Sequence, residues 1–284
     1  MLSLKNMTDR RQEYFQMLNI LAGCTDAMRG KTFPAELAWQ VDAENLASKL
    51  FFHLGTVHKL QEGTMLPEIA GIIPQYVDFP SISTLTRAAF ETFLCFHFIY
   101  IQPPTMAEKE FRHIVWKLGG LLDRQRFITT TTEGQAKIQE EKAICEKLKK
   151  KIGANQIFKQ LPEPLRKHAL KGKWRFDKYW VDIAENAGTH KDYFVSLYAY
   201  LSSFAHSGYL GILQFSQAIE RHIQESLSNI YTSVNLTLMS HFILAYCSFF
   251  EDAQTFLDNH EEHKKFVQTY FITAEQWEEL IRRA

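Results

Sequence analysis

The stretch ISTLTRAAFETFLCFHFIYI, residues 82–101, decides the fold class. Its apolar residues recur at three- and four-residue intervals, the period of a helix that buries most of its circumference. Two charges interrupt it, Arg87 and Glu91, one helical turn apart. Burying a lone ion costs several kcal/mol by rough estimate, so both are expected to be mostly buried and partnered. Arg ahead of Glu is the less favourable order for an exposed helical pair, so the reason for their placement is tertiary. Further along, YAYLSSFAHSG, residues 198–208, sets Tyr198, Ser202 and His206 at i, i+4 and i+8, on one helical face. The expectation is a polar cluster of Arg87, Glu91, Tyr198, Ser202 and His206 within a helical core.

The same period runs through the rest of the chain, and strand-type alternation is scarce, so the reading is all-α. It takes the form of a multi-helix up-and-down bundle, a single helical domain over residues 1–284. Thr8 is placed to cap a first helix reaching Arg29, and Pro34 to open a second reaching Gln61. Pro67, Gly71 and Pro74 punctuate a loop from Gly63 to Pro80. A third helix from Ser81 to Ile101 stops at Pro103 and Pro104. Thr105 with Glu108 forms a capping box that opens a fourth helix to Phe127. Thr132 with Gln135 repeats the signal before a helix whose Ile138, Ile144, Leu148 and Ile152 make a narrow stripe. Ala154 to Trp174, with Pro162, Pro164 and Gly172, reads as irregular with one short helix at most. Helices are expected over Phe176–Ala187 and Thr189–His206, the latter ended by Gly208 at positive φ. One very long helix should run from about Gly211 or Gln217 to Leu257. Thr273 with Gln276 starts a tail helix within residues 259–284.

Lys and Arg total 32 against 32 Asp and Glu, which argues against a strongly basic nucleic-acid or anionic-membrane protein. The balance hides an asymmetry: Lys137 to Lys178 holds thirteen Lys/Arg against five Asp/Glu. Phe158, Trp174, Phe176, Tyr179 and Trp180 are interleaved with these cations, a mixture that can stack bases and neutralise phosphates. Lys171, Lys173, Trp174 and Arg175 are therefore candidate binding residues for RNA or another polyanion, on a basic, partly irregular excursion over residues 130–175. The plainer account is a solvated face with aromatic anchors. Cys24, Cys95, Cys145 and Cys247 share no metal or redox spacing. There is no glycine-rich phosphate loop, no Gly-x-Ser-x-Gly elbow and no Cys-x-x-Cys pair. Glu110 with His113 is a single Glu-x-x-His, where a di-iron bundle needs two, so neither a metal nor another cofactor is expected.

The opening MLSLKNMTDRRQEYF lacks the apolar run of a secretory signal, and its acidic residues argue against a mitochondrial presequence. Thr232 to Phe250 contains no Lys, Arg, Asp or Glu, but Asn235, Ser240, His241 and Ser248 suit a helix buried in protein better than one in lipid. No membrane insertion and a cytoplasmic location are the expectations.

His206 sits at a helix C-terminus, where unsatisfied carbonyls favour the imidazolium. With hydroxyl neighbours and a carboxylate across the bundle it has the parts for general acid or base chemistry, and Arg87 offers a planar donor fork to phosphate. The alternative is a structural cluster that fixes helix register.

Arg87-x-x-x-Glu91 in an apolar helix, Trp174 after a basic loop, and Tyr198-x-x-Leu201-Ser202-x-x-x-His206 followed by Ser207 and Gly208 together resemble an uncharacterised family of all-helical bacterial proteins. The resemblance spans roughly Ser81 to the long helix after Gly211. That family is distantly similar to HEPN domains, helical bundles of bacterial toxins, abortive-infection systems and RNA-cleaving enzymes that usually act as dimers. The resemblance implies a HEPN-like fold, a homodimer, and metal-independent ribonuclease or toxin activity in stress or phage defence, with His206, Arg87 and Glu91 catalytic and Tyr198 and Ser202 in the binding site. HEPN ribonucleases carry an Arg separated from the active His by four to six residues, where this chain has Leu201, Tyr200 and Ala199. A catalytic His206 would need its Arg from elsewhere, with Arg87 as the candidate.

Overall fold

The structure, a computed structural model, describes residues 4–64 and 76–283. Pro67, Gly71 and Pro74 of the expected loop lie outside the described residues. Within the described residues the chain is all-α. Its helices are α1 (Leu4–Asp26), α2 (Val41–Leu60), α3 (Phe79–Phe96), α4 (Met106–Arg124), α5 (Thr132–Ala154), α6 (Gln156–Gln160) and α7 (Glu163–Leu170). They continue with α8 (Trp180–Asn186), α9 (Lys191–Ala205), α10 (Tyr209–Gln217), α11 (Arg221–Phe249), α12 (Glu251–Asp258), α13 (Glu261–Thr269) and α14 (Ala274–Arg283).

Two compact units divide the chain, one made of the residues up to 96 with those from 184 onward, the other of residues 97–183. In the first, α3 packs against α2, α9 and α11. Ile82, Thr86, Ala89, Phe90, Phe93 and Phe96 face inward at helical spacing and are buried. Phe96 meets Phe242 of α11 at a centroid distance of 5.0 Å. Two hydrogen bonds inside this core cross between helices: Asn235 Nδ2 donates to Thr86 Oγ1 (3.0 Å), and Gln61 Nε2 to Thr232 Oγ1 (2.6 Å). Buried amides and hydroxyls of this kind cost stability unless bonded, and these bonds tie α11 to α3 and to the end of α2. Cys24 and Cys247, unrelated in sequence spacing, lie buried with their sulfurs 3.7 Å apart.

The second unit has its own core of Phe111, Ile114, Val115, Leu118, Cys145, Ile152 and Ala169. Of the expected stripe of α5, Ile152 is buried and Leu148 packs on this core, while Ile138 and Ile144 are only half-buried and Glu141 and Cys145 take the inward positions, Glu141 paired with Arg124 at 2.9 Å. Thr105 caps α4 by accepting from the Glu108 N–H, as its spacing predicts.

Several boundaries differ from the sequence reading. Helix α1 begins before Thr8, and Pro34 precedes a 3-10 turn, Ala35–Gln40, before α2 starts. The cap of α5 is Thr131, one residue earlier than expected. Ala154 to Trp174 holds two helices, because Asn155 supplies a cap for one and Pro164 fits the first turn of the other. Phe176 and Asp177 have φ of +50° and +66°, so α8 starts later, at Trp180. The very long helix is three: it is interrupted after Gln217 and bends by 120° around Phe250, whose backbone is extended, while Glu251 and Asp252 favour a new N-terminus there. The tail contains α13 as well as α14, whose start is the reciprocal Thr273–Gln276 box. No single helix among the described residues is long and apolar enough to cross a membrane.

The end of α9 carries a further difference. Ser207, not Gly208, takes the left-handed conformation (φ +52°), while Gly208 has φ −63° and begins α10. The Gly208 N–H reaches Ser203 O (2.7 Å) and the Ser207 N–H reaches Phe204 O (3.4 Å), the paired bonds of a Schellman end. A left-handed serine is unfavourable, so Ser207→Gly is expected to raise stability by about 0.5–1 kcal/mol, read as a higher urea midpoint. An unchanged or lower midpoint would show that Ser207 is not strained.

Candidate functional site

Arg87 and Glu91 leave the buried face of α3 on the side that meets α9, which brings them to Tyr198 and His206. Arg87 Nη1 lies 2.8 Å from His206 Nε2, and Arg87 Nη2 donates to Tyr198 OH at 3.0 Å. The Tyr198 hydroxyl donates to Glu91 Oε1 at 2.6 Å, the same oxygen that stands 3.1 Å from Arg87 Nη2. The arrangement is a closed ring of guanidinium, phenol and carboxylate, with an imidazole on its outer edge. Phe194 stacks on Tyr198 (5.3 Å between centroids) and meets Phe90 edge-on, which fixes the phenol ring.

The cluster is shielded rather than sealed: Arg87 and Glu91 are mostly buried, with 19% of the Arg87 side chain and 33% of Glu91 exposed, while His206 is exposed. Ser202 does not join it, since its Oγ donates back to Tyr198 O within α9 (2.6 Å). A guanidinium has donors only, so in this contact His206 Nε2 is the acceptor. Burial works against the charge of Arg87, but its bonds to Tyr198 and Glu91 outweigh that and raise its pKa. Burial also lifts the Tyr198 phenol above its ordinary value, with the Glu91 acceptor adding to it and Arg87 opposing. Near neutral pH the phenol therefore keeps its proton and can donate to Glu91 while accepting from Arg87.

Because Tyr198 bridges both charges, Tyr198→Phe is expected to cost about 1 kcal/mol, at the modest end because the site reaches solvent. Chemical denaturation checks this, and no change in midpoint would mean that water replaces the hydroxyl fully.

Lys171, Lys173, Trp174 and Arg175 belong to the second unit, between α7 and α8. Trp174 is an anchor there, edge-on to Phe98 (5.8 Å) and Trp180 (6.0 Å), whereas Lys171 and Lys173 are exposed. Glu110 is held by Lys151 (2.7 Å) and His113 is buried in α4. Among the described residues no group of three His, Cys, Asp or Glu is placed to hold a metal ion.

The sequence reading overlooked His190. It caps α9, its Nδ1 accepting from the Tyr193 N–H (3.3 Å), and its Nε2 lies 2.7 Å from Glu278 of α14. Trp277 of the same helix stacks on Tyr193 at 3.8 Å. Thr189, the conventional capping residue next to it, concealed this role.

No curated protein and no solved structure matches the chain. Residues 75–223 match a family of unknown function, DUF5677, and that span contains α3, α9 and every member of the Arg87, Glu91, Tyr198 and His206 network. Since the match takes in over half of the sequence, the chain belongs to the family of unknown function DUF5677.

Proposed function

We propose that the protein is a HEPN-like, metal-independent ribonuclease of bacterial stress or phage defence, with His206 as general base and Arg87 as the phosphate-binding cation. The observation that carries this reading is the 2.8 Å contact between Arg87 Nη1 and Nε2 of an exposed His206. In this reading Arg87 of α3 stands in for the arginine that HEPN ribonucleases carry a few residues ahead of the histidine, at positions where this chain has Ala199, Tyr200 and Leu201. Tyr198 and Glu91 grip Nη2, so the guanidinium stays in place when Nη1 exchanges its partner.

In the proposed reaction Nη1 turns from Nε2 to a non-bridging phosphate oxygen, which frees the Nε2 lone pair. Nε2 takes the proton of the ribose 2′-hydroxyl as O2′ forms a bond to phosphorus. The bond from phosphorus to the 5′-oxygen breaks, and that oxygen takes a proton from water. The hydroxide left behind accepts the imidazolium proton and restores the site. Arg87 stabilises the charge that builds on the phosphate oxygens, a task suited to its planar fork. The products are a 2′,3′-cyclic phosphate and a 5′-hydroxyl.

The test is incubation of the full chain with a mixed RNA pool in the presence of a chelator, followed by analysis of end groups. Cyclic phosphate ends that disappear in His206→Ala are expected. Intact RNA with wild-type protein overturns the reading.

A second reading, a non-catalytic binding or scaffold module, is favoured by one observation: both terminal nitrogens of Arg87 are already bonded within the chain. It predicts no cleavage and an early-melting His206→Ala variant.

A further inference from the structure

Four cations of the second unit, Lys171, Lys173, Arg175 and Lys178, lie together on one basin. After α7 the chain turns at Gly172 (φ +66°) and passes through Phe176 and Asp177 at positive φ before reaching α8. Left-handed backbone at two consecutive residues other than glycine is unfavourable, so packing has to impose it. Phe176 stacks on Phe111 with centroids 6.1 Å apart, and Asp177 Oδ2 lies 2.9 Å from His168 Nδ1. Backbone bonds from Lys173 to His168, from Phe176 to Lys173 and from Lys178 to Arg175 close successive turns. The loop holds its side chains in set positions along the lip of an open basin on this unit.

Of the two acidic residues of the basin, Asp123 pairs with Arg126, and Asp177 is outnumbered by the cations on its own loop. Arg175 is steadied by the Trp180 ring, 4.7 Å from its guanidinium carbon. Beside them Tyr179 is 75% exposed, a large flat ring left open to water among cations.

We infer that this basin binds single-stranded RNA, with phosphates on Lys171, Lys173, Arg175 and Lys178 and a base stacked on Tyr179. Cations at successive positions on a fixed loop track a phosphodiester backbone, and an aromatic face takes any unpaired base, whereas a duplex keeps its base faces stacked internally. The choice of RNA rests on the reaction proposed for His206; the phosphate chemistry of the basin stands apart from it.

The test uses the full chain carrying His206→Ala, so that RNA is not consumed, with a labelled mixed-sequence RNA oligonucleotide and fluorescence anisotropy. Four phosphate contacts on a single strand give a log-log salt slope of about −2.8, so affinity falls about fifty-fold between 50 and 200 mM salt. Lys171→Ala with Lys173→Ala should bring the slope to about −1.4, and Tyr179→Ala should weaken binding roughly tenfold at fixed salt. A slope unchanged by the double substitution overturns the inference, as does binding to anionic phospholipid vesicles with none to RNA, or tighter binding to duplex than to single strand. Salt-dependent binding by a wild-type chain that cuts nothing supports the basin and removes the proposed reaction. Cleavage with a salt slope indifferent to Lys171 and Lys173 does the reverse.

Discussion

Alanine at position 206 is expected to reduce RNA cleavage by about 10²–10⁴-fold, the range associated with loss of a general base, while leaving the unfolding midpoint nearly unchanged. The separation of the two effects follows from where His206 sits. Its side chain is exposed at the end of α9, and its polar contact is the Arg87 nitrogen at 2.8 Å, which water can take over. Tyr198 and Glu91 still hold the other terminal nitrogen, so no charge is left stranded. Arg87→Lys should be nearly as damaging to cleavage, because an ammonium cannot bond Tyr198 and Glu91 on one side and phosphate on the other with the fixed fork of a guanidinium. It should also destabilise, by about 1–2 kcal/mol, a smaller cost than a fully buried ion pair would impose. The decisive measurement is cleavage and urea unfolding on the same preparations of wild type, His206→Ala and Arg87→Lys. A His206→Ala protein that cleaves normally removes the histidine from the reaction. A wild type that cleaves nothing, beside a His206→Ala variant that melts much earlier, leaves the scaffold reading.

The meeting of α3 with α9 could be read from residues because two rules pointed the same way. Arg87 and Glu91 interrupt an apolar helix and need partners, and Tyr198 and His206 share a helical face with the groups to provide them. Ser202 satisfies the same spacing yet bonds its own helix, because a serine hydroxyl reaches the carbonyl four residues back more easily than a neighbouring helix. Periodicity failed where the chain bends. Phe250 is apolar and continues the helical pattern of α11, but it is buried where the direction changes by 120°, and nothing in a hydrophobic pattern distinguishes a continued helix from a broken one. The same limit hid the left-handed pair Phe176 and Asp177, whose conformation is imposed by contacts with Phe111 and His168 rather than by local preference. Gly208 misled for the opposite reason: glycine permits positive φ, but the residue before it took that role.

Two adjacent glycines of α4 should respond to alanine with opposite signs. Gly119 and Gly120 are equally poor helix formers by propensity, and replacing either in an exposed helix would gain about 0.8–1 kcal/mol. Their surroundings differ. A methyl on Gly120 would meet nothing within 4 Å, so Gly120→Ala should keep most of that gain. A methyl on Gly119 would lie 2.4 Å from the carbonyl oxygen of Gly172 and 3.5 Å from Trp174. That oxygen is backbone, and it accepts from the Trp174 N–H at 2.9 Å, so it cannot swing aside like the end of a flexible side chain. Overpacking of this kind typically costs about 1–3 kcal/mol, which reverses the propensity gain, and Gly172 itself sits in a left-handed conformation (φ +66°) at this close approach. Gly119→Ala is therefore expected to destabilise the second unit by about 1–2 kcal/mol net, with altered Trp fluorescence as Trp174 is displaced. Since Gly172 begins the loop that carries Lys171 to Tyr179, the same variant should weaken RNA binding while Gly120→Ala leaves it unchanged. Urea unfolding followed by tryptophan emission reads the stability difference directly. Two variants that shift in the same direction would show that α4 and the basic loop do not approach as closely as Gly119 and Gly172 require.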